Sequence, residues 1–106
     1  MAEKIPLEKV IVNDIMKWLK SAGYAFVYKT HGSAYAPSGL PDLVVIDKHG
    51  RFVGLEVKRP KVGRLTDLQR RVLDQIRAAG GYSAVVCSIQ DAQIAMASSE
   101  GGSAND

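Results

Sequence analysis

Apolar residues in "IPLEKVIVNDIMKWLKSAG" return every three or four positions, as Leu7, Val10 or Ile11, Ile15, Trp18, Leu19 and Ala22. That period predicts an amphipathic helix with one face packed inward; Pro6 suits its start and Gly23 its stop. The pattern then changes. "YAFVYKT" is aromatic and β-branched, which predicts a strand, and "HGSAYAPSGLP" follows as a loop rich in Gly, Pro and Ser that leads to Asp42.

"DLVVID" and "RFVGLEVKR" are strand-like runs joined by Lys48, His49 and Gly50, a spacing that predicts an antiparallel hairpin. If Asp47 faces Arg51 across the turn, Asp42 stands opposite Glu56; a bulge at Gly50 would shift that register by one. Side chains alternate along a strand, so Phe52, Gly54, Glu56 and Lys58 share one face while Val53, Leu55 and Val57 share the other. The second helix is predicted over "TDLQRRVLDQIRAAGG", with Thr66 and Gln69 spaced as a capping box and two glycines as the stop. Its inward stripe reads Leu68, Val72, Leu73, Ile76 and Ala79. "YSAVVCS" then fits a buried strand parallel to the one carrying Glu56, because a helical crossover returns the chain in the same direction. "QDAQIAMA" adds a short helix, and "SSEGGSAND" reads as a frayed end. The expected organisation is one domain over residues 1–97 and a flexible tail over 98–106.

Composition narrows the class. With 106 residues, 46% hydrophobic and 24% charged, the chain can bury one core and is neither fibrous nor disordered. No apolar run approaches the ~20 residues that cross a bilayer, and "MAEKIPLEK" lacks the apolar stretch of a signal peptide; a cytoplasmic location is expected. Cys87 has no second cysteine to pair with and reads as packing; with His31 and His49 it shows no zinc-ligand spacing. Charge is more informative in its placement than in its total. Between Lys58 and Arg77 seven Lys and Arg residues face two Asp, a surplus of five, which leaves the rest of a +3 chain at −2. A basic block of that kind suits a polyanion, with nucleic acid first, although a solvated helix face gives the same count.

Two carboxylates side by side on neighbouring strands repel each other and lose hydration, a cost that a divalent cation offsets. Carboxylate oxygens are the hard ligands preferred by Mg²⁺ or Mn²⁺, which keep water on their remaining positions. Water so bound becomes a nucleophile, and Lys58, on the same face as Glu56, is placed to orient it or to balance charge on a phosphate oxygen. These parts suit phosphodiester hydrolysis. The plain alternative is that Glu-x-Lys is the solvent face of an edge strand, and a "PD…ExK" match alone occurs often by chance.

Together, "GLPDLVVI", "GLEVKRP" and "GRLTDLQRRVLDQIRAAGG" resemble the virus-type replication-repair nuclease domain, VRR-Nuc, a branch of the PD-(D/E)XK nucleases. The likeness runs from the first helix to the strand containing Cys87. It implies an α/β fold, a restriction-endonuclease-like αβββαβ core with a mixed central sheet flanked by helices. It also implies metal carboxylates at Asp42 and Glu56, a carbonyl ligand at Val57, a catalytic lysine at Lys58 and an active-site glutamine at Gln69. The family's first-helix glutamate is matched by Glu8, whose other reading is an acidic residue favoured by the helix dipole. Gly39 and Pro41 are expected to shape the turn that presents Asp42. Lys61, Arg64, Arg70 and Arg71 are the candidates for phosphate contact, and His31, Ser33 and Tyr35 lie in the loop before Asp42. The resemblance implies a Mg²⁺- or Mn²⁺-dependent endonuclease acting as a homodimer on branched DNA such as four-way junctions, with no membrane partner. Two other readings remain open: a non-catalytic DNA-binding module of a repair or replication complex, and an interaction protein whose carboxylates and lysine form ordinary salt bridges.

Overall fold

The structure, a computed structural model, describes residues 4–30 and 38–101. Helix α1 (Glu8–Ser21) leads into β1 (Val27–Lys29), then the hairpin of β2 (Leu43–Ile46) and β3 (Phe52–Val57). Helix α2 (Asp67–Ala78), β4 (Tyr82–Val86) and helix α3 (Ile89–Gly101) complete the order. The sheet runs β1-β2-β3-β4, antiparallel at its first two junctions and parallel between β3 and β4. This is the mixed α/β sheet expected.

The hairpin keeps the unbulged register. Leu43 pairs with Leu55 and Ile46 with Phe52, so the frame that sets Asp42 against Glu56 holds. Asp47 fixes the turn: its Oδ1 accepts from the backbone N–H groups of His49 (2.8 Å) and Arg51 (2.9 Å), while Gly50 takes the left-handed φ of 85° that a side chain would strain.

One side of the sheet is closed. Ile11, Val12, Ile15 and Leu19 of α1 join Leu43, Val45, Val53, Leu55, Val57, Val86 and Ala92, Ala95 and Met96 of α3 in one buried cluster. The inward stripe of α1 holds the expected Ile11, Ile15 and Leu19 and adds Val12, whereas Leu7 and Val10 are exposed. With Leu7 at the N-cap, the helix starts two residues after Pro6, and its packing phase is set by where the sheet lies.

The other side carries α2 alone. Among its five expected inward residues only Leu73 is buried, and Leu68 and Ala79 are exposed. Gly54 lets α2 and the chain before Asp42 approach the sheet: a Cβ there would lie 2.7 Å from Pro41 Cγ and 2.9 Å from Ile76 Cδ1.

Helix α3 is longer than the sequence pattern indicated. It runs through Gly101, so residues 98–101 are helical where a tail was expected to begin. Polar contacts explain the extension: buried Ser99 donates to Asp47 Oδ2, and Glu100 Oε2 accepts from the Tyr24 hydroxyl (2.8 Å) and from the backbone N–H of Lys48 (3.1 Å). Apolar periodicity does not register such contacts. No helix among the described residues is long and apolar enough to cross a membrane.

Candidate active site

The site forms where β2 begins and β3 ends, on the α2 side of the sheet. Asp42 precedes β2 in a turn built by Gly39, at φ 85°, and buried Pro41. Thr30, at the end of β1, holds this turn from the neighbouring strand: its hydroxyl donates to the Pro41 carbonyl (2.6 Å) and its N–H to the Asp42 carbonyl (3.0 Å). Asp42 Oδ2 in turn accepts the backbone N–H of Val57 at 2.7 Å, which ties the carboxylate to the end of β3. An extended residue sends its N–H and C=O to the same strand edge, so the Val57 carbonyl also faces the Asp42 side.

Glu56 is 2% exposed. Its two oxygens have different surroundings. Oε2 accepts from Gln69 Nε2 at 3.0 Å and lies 3.4 Å from Lys58 Nζ. Oε1 has no hydrogen-bond partner and is the only such buried side-chain polar atom among the described residues. Burial, followed by the adjacent Asp42 carboxylate, pushes the Glu56 carboxyl up to about 8, with Lys58 pulling the other way. A buried carboxylate with one orphaned oxygen is costly, since an uncompensated polar atom alone costs about 1–3 kcal/mol and a charged one more.

Lys58 is held as well as placed. The loop after it folds back, with the Gly63 N–H donating to the Arg59 carbonyl at 2.9 Å; a Cβ on Gly63 would meet the Lys58 Cβ at 2.8 Å. Lys61 adopts a positive φ of 69° in this loop. Arg59 turns the other way, donating from Nε to the Pro6 carbonyl (2.9 Å) and from Nη2 to the Ile5 carbonyl (3.1 Å). That anchors the segment before α1 to the end of β3.

The structure thus brings Asp42, Glu56, Lys58, Gln69 and the Val57 backbone together. Glu8 sits in the first turn of α1, two residues after Pro6, whose carbonyl Arg59 binds at the end of β3; no group of three or more His, Cys, Asp or Glu side chains suited to a metal ion occurs among the described residues. Its position matches an acidic residue at the positive end of a helix dipole. Lys61, Arg64, Arg70 and Arg71 are all exposed around the loop and the start of α2. Arg77 is not available in the same way: its guanidinium donates to the Ser83 carbonyl and stacks 4.5 Å from the Tyr82 ring centroid. His31, Ser33 and Tyr35 lie outside the described residues.

Sequence reasoning missed Thr30 and Arg59. Thr30 offered no signal beyond ending a strand, and Arg59 was counted only as charge. Cys87 is half-buried, with burial and then Asp91 raising its thiol above the usual range, as fits a packing residue rather than a nucleophile.

The family model of the VRR-NUC domain matches residues 10–91. The chain belongs to the VRR-NUC domain family. Two solved structures share its fold. One, described as a VRR_NUC domain protein, superposes with a TM-score of 0.75 at 15% identity, over 91% of this chain and 89% of the other. The second, described as a VRR_NUC domain, gives 0.66 at 24% identity, over 82% of this chain and 90% of the other. No curated protein sequence matches the chain. Family and fold together make this VRR-NUC chain nuclease-like in architecture, and its paired acidic residues occupy the hairpin that the PD…ExK pattern marked.

Proposed function

We propose that this VRR-NUC domain is a metal-dependent endonuclease that hydrolyses DNA phosphodiester bonds between Asp42, Glu56 and Lys58. One observation carries the reading: Glu56 is buried beside a second carboxylate with its Oε1 unpartnered, an electrostatic cost that a hard cation removes. The donor set fits Mg²⁺ or Mn²⁺. Asp42, Glu56 and the Val57 carbonyl would hold it, and three oxygen donors leave room for the waters these ions retain. When bound, such an ion lowers the pKa of coordinated water and polarises a phosphoryl oxygen.

The chain's own residues supply the rest. Lys58 brings an ammonium to the rim of the carboxylate pair, where negative charge grows on the phosphate in the transition state. Gln69 restrains Glu56. Exposed Lys61, Arg64, Arg70 and Arg71 neutralise backbone phosphates and set the duplex across the site, contacts that orient DNA without reading its sequence. Readout by backbone and shape suits branched DNA, and two symmetric cuts at a four-way junction suit a twofold homodimer.

The test incubates the protein with linear duplex, flap, splayed and four-way DNA, with and without Mg²⁺ or Mn²⁺, while sedimentation reports the oligomeric state. Cleavage should require metal and favour branched substrates. Lys58→Ala should cut about 10²–10³-fold more slowly, the cost of removing one charge-stabilising donor, with DNA binding retained. Binding with no metal-dependent cleavage would leave the non-catalytic DNA-binding module as the function.

A further inference from the structure

Asp42 lies between two peptide planes, and one residue holds both. The register that sets Lys29 against Leu43 continues by one step to set Thr30 against Asp42. The Thr30 hydroxyl donates to the Pro41 carbonyl (2.6 Å), part of the peptide on the N-terminal side of the Asp42 Cα. The Thr30 N–H donates to the Asp42 carbonyl (3.0 Å), part of the peptide on the C-terminal side. Peptide units are rigid, so fixing the planes on either side of a Cα fixes its φ and ψ, and with them the direction of the Cα–Cβ bond. Any residue but proline supplies the N–H, whereas the bond to the Pro41 carbonyl comes from the threonine side chain itself. Thr30 is 7% exposed, which leaves water little access to replace the hydroxyl. Beyond Cβ, the Asp42 carboxylate meets the Val57 N–H through Oδ2 at 2.7 Å, a bond that requires the backbone to launch the side chain toward β3.

We propose that Thr30 is a positioning residue for Asp42: through the Pro41–Asp42 peptide its hydroxyl aims the carboxylate at the end of β3 and so raises the affinity of the site for a divalent cation. The inference rests on the metal-dependent reading above. Groups that orient a ligating carboxylate change metal affinity by about 10–100-fold when removed, whereas a threonine that only closes the end of β1 changes stability and leaves the affinity of the folded protein alone.

The experiment measures Mn²⁺ affinity without DNA, from the electron paramagnetic resonance of free Mn²⁺, and the Val57 amide proton shift of the metal-free protein by nuclear magnetic resonance. It compares wild type, Thr30→Val, Thr30→Ala, Thr30→Ser and Ser99→Ala. Valine has the branched shape of threonine, so Thr30→Val removes the hydroxyl and keeps the strand pairing; Thr30→Ala removes it a second way. Ser99→Ala deletes another buried hydroxyl, one that donates to Asp47 at the other end of β2, and reports what a loss of stability does by itself. Expected results are a roughly tenfold loss of affinity in Thr30→Val and Thr30→Ala, with the Val57 amide proton moving upfield as its bond to Asp42 weakens, and wild-type affinity in Thr30→Ser and Ser99→Ala. Unchanged affinity in Thr30→Val and Thr30→Ala overturns the inference and leaves the nuclease reading standing. So does an equal loss in Ser99→Ala, which would mean that affinity follows stability, or a Val57 amide that stays in place, which would mean that the carboxylate has not moved. Failure of the wild-type protein to bind Mn²⁺ overturns the nuclease reading itself, and this inference with it.

Discussion

The two faces of the sheet obey different rules. On the α1 and α3 side, Leu43, Val45, Val53, Leu55 and Val57 are each 0% exposed and belong to one apolar cluster. On the α2 side β3 offers Gly54 and Glu56, under a helix that buries Leu73 alone. Stability is concentrated on the first face, which frees the second to carry a buried acidic group that folding by itself would select against. A site of this kind needs an adjoining surface that already satisfies the free-energy demands of the fold.

The largest effect that sharpens the contrast should come from the closed face. Leu55→Ala leaves a cavity among packed side chains and should destabilise the protein by about 2–5 kcal/mol, read by urea denaturation, with the carboxylate pair untouched. A smaller effect of opposite sign is expected across the sheet. Replacing the carboxylate in Glu56→Gln should stabilise the metal-free protein at pH 9 by about 1–3 kcal/mol, the scale of an uncompensated buried group, while abolishing metal-dependent cleavage. The pH profile gives an independent check. Folded Glu56 keeps its proton up to about 8, against an ordinary 4.5, so across that window the native state binds more protons than the unfolded chain and stability falls as pH rises. Glu56→Gln should lack that slope, and saturating Mn²⁺ should flatten it in wild type. Should denaturation midpoints of wild type and Glu56→Gln run parallel from pH 5 to 9, Glu56 is not the strained group described. The smallest effect belongs to the outer edge of the open face. Leu68, 42% exposed, should tolerate Ser within ~0.5 kcal/mol, although it was expected to pack inward.

That last case shows what the sequence could reveal. Short-range geometry was legible: the hairpin register follows from a three-residue turn, and the capping box from Thr66 and Gln69 alone. Asp42, Glu56 and Lys58 could be placed on one face because alternation along a strand is rigid. Properties set by distant partners were less accessible. How wide the inward side of α1 is depends on the elements packed against it, so Val12 joined the expected Ile11, Ile15 and Leu19; α2 kept its apolar stripe with Leu68 and Ala79 at its ends left exposed. Thr30 and Arg59 act on backbone carbonyls brought near them only by the fold, and a carbonyl leaves no mark in a sequence.

Ser99 and Glu100 grip the hairpin turn at Asp47 and Lys48, at the far end of β2 from Asp42. Five residues of extended chain separate the two ends, roughly 16 Å. A reporter dye carried at Gly101 would therefore sit at the opposite end of β2 from Asp42, well removed from the carboxylate pair.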